Sequence, residues 1–434
     1  IVASILEVVS IGAIVPFLGA LTSPERIYQH DLAQPLILIF EITEPNQLLL
    51  PLTFLFIIAT LVAGTVRLIL LYALIRLSNA VGSDLSINIY RRTLYQDYLV
   101  HTARNSSDVI NSIIIKTNAV VSQIVLPSLS LTSSIIIMMG IMTVVFMINA
   151  KMALISFATF ALIYWIISAF TKKYLHKNSQ LIANQSTQMI KSLQEGLGGI
   201  RDVLIDGTQE IYCNIYKNAD LSMRKAIGEN NFIGQSPRYL IEALGMTLIA
   251  ILAYVLALQE GAVLDAIPLL GAVALGAQKL LPSLQLAYRS YTQLKGSKAS
   301  FNDVLDMLNQ PLSDNTSQDL ITPIPFEQEI VFKNLSFRYS KDTPWVLKNV
   351  NLTLKKGETI GFIGESGSGK STLLDILMGL LPPTSGEMLV DGVVITETNR
   401  RGWQKHISHV PQSIYLADTS IKENIAFGVR LDHV

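Results

Sequence analysis

Nine residues in the C-terminal part of the sequence have the composition and spacing of a phosphate-binding loop. The segment "GESGSGKST", from Gly364 to Thr372, fits the pattern GxxxxGK[ST]. Its glycines let the backbone curl so that several N–H groups converge on phosphate oxygens, and a helix that begins after the loop adds the positive end of its dipole. In such loops the lysine contacts the β- and γ-phosphates, and the next hydroxyl contacts Mg²⁺.

The loop therefore predicts a nucleotide site with Lys370 as its cation and Ser371 as its Mg²⁺ contact. The predicted nucleotide-binding residues in the loop are Gly364, Glu365, Ser366, Gly367, Ser368, Gly369, Lys370, Ser371 and Thr372. Such a loop must lie between a strand and a helix. The segment "ETIGFIG", which ends at Gly364, predicts the strand, and the amphipathic run from Ser371 to Leu381 predicts the helix.

Strand patterns also precede the loop. The run from Glu329 to Ser340 and the run from Val350 to Gly364 alternate apolar and polar residues, and "KKGE" forms a turn inside the second. A Pro- and Ser-bearing linker, "SQDLITPIP", comes before them. These patterns predict an α/β domain around the loop.

The sequence before about Asn309 has a different character. Of the 434 residues, 50% are hydrophobic and only 15% are charged, whereas soluble domains contain about 25% charged residues. Six runs reach the roughly 20 apolar residues that a membrane-spanning helix needs. They are Ile1–Leu21, Leu48–Leu77, Val120–Ile148, Met152–Phe170, Leu240–Leu258 and Ala266–Tyr288. The run from Ser133 to Ile148 lacks the polar face of a soluble core helix, so we interpret the six runs as membrane spans.

Basic residues between the spans predict their orientation. The connections after spans two and four hold Arg91, Arg92, Arg104, Lys116, Lys172, Lys173, Lys177, Lys191, Arg201, Lys217, Arg224, Lys225 and Arg238. The connections on the other side hold Arg26 and Lys151. Since basic loops stay in the cytoplasm, both long connections and the phosphate-binding loop are predicted to be cytoplasmic.

The two cytoplasmic connections are roughly 40 and 70 residues long, whereas helix-to-helix loops usually have about 2 to 8. The segments Ser83–Val100 and Asn178–Ile227 space apolar residues by three and four among charges. The spans are therefore predicted to continue as amphipathic helices into the cytosol.

Charge and cysteine content exclude other classes of protein. Lys plus Arg and Asp plus Glu each number 33, so no overall field attracts nucleic acid, and we expect no nucleic-acid partner. Cys213 is the single cysteine, which excludes an intrachain disulfide and a cysteine-rich metal cluster.

Over its whole length the sequence resembles the ATP-binding cassette (ABC) exporters, in which six spans precede a nucleotide-binding domain on one chain. The segment "FRYS" places Tyr339 where that family stacks an aromatic residue on adenine, and "HVPQ" resembles the family's Q-loop, with Gln412 near Mg²⁺ and the attacking water. The segments Tyr98–Ile110 and Ile200–Tyr212 resemble its coupling segments.

This resemblance implies the following organisation. Residues 1–310 would form the membrane domain of six helices with long cytosolic extensions, 311–325 a linker, and 326–434 the first part of an α/β P-loop cassette domain. ATP and Mg²⁺ would be the cofactors. The family's mechanism implies that two chains, identical or sister subunits, close around two nucleotides and that the cytosolic arms carry this closure to the spans.

Three further family motifs do not occur before Val434: the LSGGQ-type signature, a Walker-B Asp followed by a catalytic Glu, and the switch His. Asp418 follows an apolar stretch, but Thr419 stands at the Glu position and the pair lies too close to Gln412. We therefore expect the sequence to be a fragment at its C-terminal end, and because it begins with Ile1 rather than Met, we expect the same at its N-terminal end. As given, it is expected to bind nucleotide without hydrolysing it.

Two segments bear on the cargo. The first span and the segment His409–Gly428 resemble a bacterial subgroup that handles lipid-linked oligosaccharides, glycolipids and polysaccharides. This implies an inner-membrane exporter or flippase of an amphipathic, lipid-bearing substrate, with its cassette in the cytoplasm. Two alternatives stay open, namely a peptide or bacteriocin exporter and a truncated protein that only binds nucleotide or sequesters a partner subunit.

Charged residues inside spans are costly and point to function. Arg67 and Lys279 lie in apolar stretches of spans two and six, where they either line a substrate cavity or pair with Glu7 or Glu242. Arg76 and Arg289 lie near the cytosolic ends of their spans and are expected to extend to the interface.

Overall fold

The computed structural model describes residues 2–22, 24–30, 33–148, 150–257, 263–310, 322–412 and 414–429. The chain forms two compact units. Unit 1 contains residues 1–94 and 104–311, and unit 2 contains residues 95–103 and 312–434. This division places the short segment 95–103 with the cassette, and it divides the predicted linker 311–325 between unit 1, which takes residue 311, and unit 2, which takes the rest.

All regular secondary structure in the described part of unit 1 is helical. In chain order its α-helices are α1 (Val2–Thr22), α2 (Pro24–Tyr28), α3 (Gln34–Ile39) and α4 (Leu49–Leu94), then, after α5 (Tyr98–Ala103) of unit 2, α6 (Ser106–Asn111), α7 (Thr117–Val120), α8 (Leu126–Ile148), α9 (Ala150–Gly198), α10 (Ile200–Ile205), α11 (Gln209–Ala257), α12 (Val263–Gly296) and α13 (Lys298–Leu308).

In their described parts, the six apolar runs lie mainly on α1, α4, α8, α9, α11 and α12. Among the described residues, the stretches Pro45–Leu94 and Ser106–Thr143 are long and apolar enough to cross a membrane. Only 6% and 17% of their most apolar windows are buried. Their apolar side chains therefore do not form the core of a soluble domain.

The predicted helical extensions beyond the apolar runs are confirmed as continuous helices. Helices α9 and α11 each contain 49 residues, which is far more than the roughly 20 that a bilayer requires. Each therefore extends well beyond its apolar run. Helix α10 connects the two arms and lies in one of the segments that resemble coupling segments.

Two π-helical stretches, Ser112–Lys116 and Val121–Val125, precede α8, the helix that contains most of the third apolar run. The Thr117 hydroxyl donates to the Ser112 carbonyl at 2.8 Å, five residues earlier. At the crossing with α4, a Cβ on Gly82 would lie 2.5 Å from a methyl carbon of Val121, so glycine permits this close contact.

Unit 2 is built on a four-stranded antiparallel sheet in the order β2-β1-β3-β4. The strands are β1 (Glu329–Phe337), β2 (Leu347–Lys355), β3 (Ser385–Val390) and β4 (Val393–Val394). Besides α5, the described part of this unit contains α14 (Lys370–Leu377), α15 (Arg400–Gln404) and α16 (Ile421–Ile425). Apolar residues of the sheet and of α14 and α15 form one core, which includes Phe332, Phe337 and Trp403.

The prediction of a strand from Glu358 to Gly364 is wrong for this structure, because these residues have no regular secondary structure. A strand requires a neighbour for its backbone hydrogen bonds, and none of the described strands pairs with this segment. Ile363 is 99% exposed as a result. The predicted second strand ends at Lys355, and α14 begins one residue earlier and ends four residues earlier than predicted, at Leu377. In the predicted linker, residues 311–321 lie outside the described residues.

Candidate functional site

The phosphate-binding loop has the backbone that its glycines allow. Gly367 and Gly369 have φ of 83° and 90°, in the left-handed region that side chains disfavour. Gly369 is the N-cap of α14, so the free N–H groups of the first helical turn follow the loop directly. The structure therefore keeps the loop-to-helix junction that an anion site requires, although the preceding strand is absent from the described sheet.

Lys370 is directed back over the loop. Its ammonium donates to the carbonyls of Gly364 and Glu365, at 2.7 Å each, and lies 3.3 Å from the Ser368 hydroxyl. The positive charge is thus held beside the loop backbone. When a phosphate binds, its charged oxygens would replace these neutral carbonyls as acceptors for the Lys370 ammonium. Charged oxygens form stronger hydrogen bonds with an ammonium group.

A cavity of about 600 Å³ brings three of the predicted residues together. Lys370, Ser371 and Gln412 all line it, although Gln412 is far from the other two in sequence. Apolar residues from β1, β2 and α14 form much of the remaining wall, including Ile330, Leu354 and Leu374. The residues predicted to contact Mg²⁺, Ser371 and Gln412, therefore share one cavity.

Tyr339 and Thr372 contact each other. Their hydroxyls are 3.1 Å apart, and the Tyr339 ring packs edge-on against Phe337 with centroids 5.0 Å apart. Tyr339 remains 39% exposed, so part of its ring is open to a ligand. Thr372 is buried, and its hydroxyl serves to orient Tyr339. A role for Thr372 in direct nucleotide contact stays a prediction.

Two titratable groups lie beside this pair. Burial raises the pKa of Asp375 on α14, an effect that the charge of His409 partly offsets. Burial also raises the pKa of Tyr98, with further contributions from the charges of Asp375 and Tyr339. Tyr98 on α5 therefore lies within electrostatic reach of the helix that follows the phosphate-binding loop.

The segment 95–103 is fixed to the cassette by one ion pair and one apolar contact. The Arg400 guanidinium, at the start of α15, donates to the Asp97 carboxylate. Leu99 packs against the hydrophobic core of unit 2. We predicted a coupling segment from Tyr98 onward but did not single out Asp97 or Arg400. A carboxylate next to the segment was the only available signal, and its partner lies 303 residues away in sequence.

The residues predicted to line a substrate cavity belong to unit 1. Arg67 lies on α4 and is exposed within the single chain. Lys279 lies on α12, but its side chain is outside the described part of the structure, as is that of Glu7. Glu242, a predicted partner of these cations, lies 3.9 Å from Arg238.

Two family models match the chain. The ABC transporter transmembrane region matches residues 2–264, and the ABC transporter family matches residues 347–434.

Several curated proteins are similar in sequence. The chain is 38% identical over 156 residues to a leukotoxin translocation ATP-binding protein of a Pasteurella haemolytica-like species (strain 5943B). This alignment covers 36% of this chain and 21% of that protein. It is also 22% identical over 377 residues to the ATP-dependent lipid A-core flippase of Cupriavidus pinatubonensis. That alignment covers 85% of this chain and 62% of the flippase. The chain thus spans less than two thirds of these relatives.

A solved structure supports the fold. A bacterial Atm1-family ABC exporter with ATP bound superimposes with a TM-score of 0.65 at 16% sequence identity. The superposition covers 90% of this chain and 69% of that one.

Proposed function

This chain belongs to the ABC exporter family, and we propose that it forms half of a bacterial transporter that uses ATP to export or flip a lipid-linked glycan, a glycolipid or another amphipathic molecule. One observation carries the proposed cargo class. The similarity to the lipid A-core flippase extends over 85% of the chain, whereas that to the leukotoxin protein covers 36%. Since the membrane-spanning unit contacts the cargo, the longer similarity is the more informative.

A second candidate is the export of a peptide or protein toxin. It is favoured by the higher sequence identity of the leukotoxin and exotoxin translocation proteins, which reaches 38%. The cargo assay described below distinguishes the two candidates.

Each residue of the nucleotide site has a proposed role. Lys370 and the loop N–H groups would hold the phosphates, Ser371 and Gln412 would contact Mg²⁺, and Tyr339 would stack on adenine. Glu365, Ser366 and Ser368 complete the loop. When bound, ATP with Mg²⁺ supplies the anionic charge that such a loop is built to hold.

Segment 95–103 is proposed to transmit changes in the cassette to the membrane helices. It follows α4 directly in the chain and precedes α6, so both of its ends continue into unit 1. The Asp97–Arg400 ion pair and the Leu99 contact make the segment part of unit 2. Movement of the cassette would therefore pull on α4 and α6 through the covalent chain.

The proposed assembly is a dimer, either of two copies or with a sister subunit. The short helix α10, which connects α9 and α11, supports this proposal, because its Leu204 and Ile205 are 60% and 71% exposed. Apolar side chains at the end of a cytosolic arm gain stability when a partner covers them. The proposed location is the inner membrane with the cassette in the cytoplasm, as the distribution of basic residues favours.

The cargo proposal is tested with the complete protein, including any sequence beyond Val434, purified and reconstituted in vesicles. We expect lipid-linked glycans to stimulate ATP hydrolysis and to be flipped only when ATP is present. Peptides of similar apolar character serve as the matched cargo control. Equal stimulation by peptides and lipids would contradict the assignment of a lipid-linked cargo.

A further inference from the structure

Unit 1 contains a cavity of about 220 Å³ between α9, α11 and α12. A cavity of this volume accommodates several waters or a compact polar group. The polar residues that line it are Gln235, Arg238, Gln285 and Arg289, together with the rings of Tyr164, Tyr239 and Tyr288. No residue predicted from the sequence to contact cargo lies in this set.

The wall of the cavity is positively charged. Among the described residues that line it, Arg238 and Arg289 are cationic and none is acidic. The nearest carboxylate partner of Arg238 is Glu242, at the long distance of 3.9 Å, and Glu242 does not line the cavity. Two guanidinium groups and two amides thus surround a space that suits an anion, and a guanidinium fork matches the oxygens of a phosphate group.

The cavity also lies at a specific depth. Arg238 comes two residues before the fifth apolar run, which begins at Leu240, and Arg289 comes directly after the sixth, which ends at Tyr288. Both arginines therefore lie where apolar spans give way to the side predicted to be cytoplasmic. At this depth a bilayer presents the phosphate groups of its lipids.

Backbone features maintain the opening between the helices. Pro237 on α11 removes one helical N–H and faces the cavity, as does Pro282 on α12. One turn away, Gly234 permits close contact with α12, because a Cβ there would lie 2.9 Å from the Thr292 hydroxyl. The two helices thus touch at Gly234, and both prolines line the cavity.

The tyrosines form the wall toward α9. The rings of Tyr164 and Tyr288 lie 5.0 Å apart, and both hydroxyls are buried without a hydrogen-bond partner in the described structure. Thr171 lies beside Tyr288, but its hydroxyl donates to the Ile167 carbonyl. Both tyrosines line the cavity, so their hydroxyls are candidate donors to the oxygens of a ligand.

We propose that this cavity binds the phosphate-bearing headgroup of an anionic lipid, with Arg238 and Arg289 as its cations. The inference rests on the proposed lipid cargo and gives that cargo an entry site at the predicted cytoplasmic face. Soluble phosphate has the same chemistry, so the test must distinguish the two sources.

The experiment uses the full chain in nanodiscs of phosphatidylcholine that contain a trace of a photoreactive phosphatidic acid. Without nucleotide, we expect labelling of residues 234–239 and 282–289. Labelling of the double variant Arg238→Gln/Arg289→Gln should be about tenfold weaker than that of the wild type, since losing hydrogen bonds to charged groups typically lowers affinity by about this factor. The matched control is Arg76→Gln, an arginine at the corresponding end of α4 that does not line the cavity, and it should label as the wild type does.

Three results would overturn the proposal. The first is unchanged labelling in the double variant. The second is equal labelling of the wild type by a photoreactive diacylglycerol without a phosphate group, a comparison that does not depend on the folding of any variant. The third is complete displacement of the lipid probe by inorganic phosphate, which would assign the site to soluble phosphate. Because no ATP is present, loss of this site and loss of lipid-linked glycan transport are scored separately.

Discussion

The guanidinium group of Arg400 in the cassette donates to the carboxylate of Asp97, which lies in the short segment between α4 and α6. The Arg400 side chain is mostly buried, so solvent screens this pair less than an exposed one. The ion pair is therefore the most direct test of how the segment follows the cassette.

Reversing one charge of this pair should weaken the coupling between ATP hydrolysis and transport. Asp97→Arg or Arg400→Asp alone is expected to cost about 1 kcal/mol or more in the free energy of unfolding. Each should also lower ATP-driven transport more than ATP hydrolysis. The double reversal should restore transport, and Asp342→Arg, at an exposed position of the same unit, serves as control. If the double variant transports no more than either single variant, a direct role for the ion pair in transport is excluded.

Lys370→Ala should reduce nucleotide affinity by about tenfold to a hundredfold, because it removes a charged hydrogen-bond donor to phosphate. Equilibrium binding of a fluorescent ATP analogue to the purified chain measures this loss. Lys348→Ala, which removes an exposed lysine from β2, is the matched control. Similar affinity in both variants would leave the loop without its proposed function.

Asp375 predicts a pH dependence of stability. Burial raises its pKa above the unfolded value, so the folded state favours the protonated form. The stabilisation that this provides is present below the unfolded pKa and is lost as pH rises through the folded pKa. We therefore expect Asp375→Asn to raise the melting temperature at neutral pH, and we expect the difference to vanish in acid. Asp342→Asn is the control, and a difference that grows toward acid pH would have the wrong sign.

The ion pair between Lys116 and Asp303 in unit 1 predicts an asymmetry between two variants. The atoms are 2.6 Å apart, and the Lys116 side chain is only 8% exposed whereas that of Asp303 is 39% exposed. Asp303→Asn leaves a buried ammonium without its carboxylate and should cost about 1–3 kcal/mol in the free energy of unfolding. Lys116→Met leaves a half-exposed carboxylate and should cost less.

Thermal unfolding in detergent measures both changes. Glu195→Gln, which breaks the exposed pair with Lys191, should change the melting temperature little. Equal losses for Asp303→Asn and Lys116→Met would contradict the explanation from burial.

Arg67 remains a proposed cargo contact. Arg67→Ala should reduce stimulation of ATP hydrolysis by lipid-linked glycans and leave basal hydrolysis intact, because the cassette does not contain this residue. Arg76→Ala on the same helix is the control. Loss of basal hydrolysis in the Arg67 variant would remove the case for a cargo contact.

Local pattern was sufficient for features that depend on neighbours in sequence. The spacing of glycines, lysine and serine identified the phosphate-binding loop, because the conformation of such a loop depends on its own residues. Long apolar runs identified the spanning helices, since a helix satisfies its backbone hydrogen bonds internally. The same local patterns failed at Glu358–Gly364, because a strand depends on a neighbour that its own sequence does not contain.

The sequence by itself determined that this chain has apolar helices, long helical extensions beyond them and a glycine loop suited to triphosphate. The tertiary structure alone decided that Asp97 pairs with Arg400, that Gln412 shares a cavity with Lys370, and that arginines from α11 and α12 line one polar space. The physical reason is distance along the chain. Helices and tight loops arise from interactions within a few residues, whereas ion pairs and cavities require segments that only packing brings together.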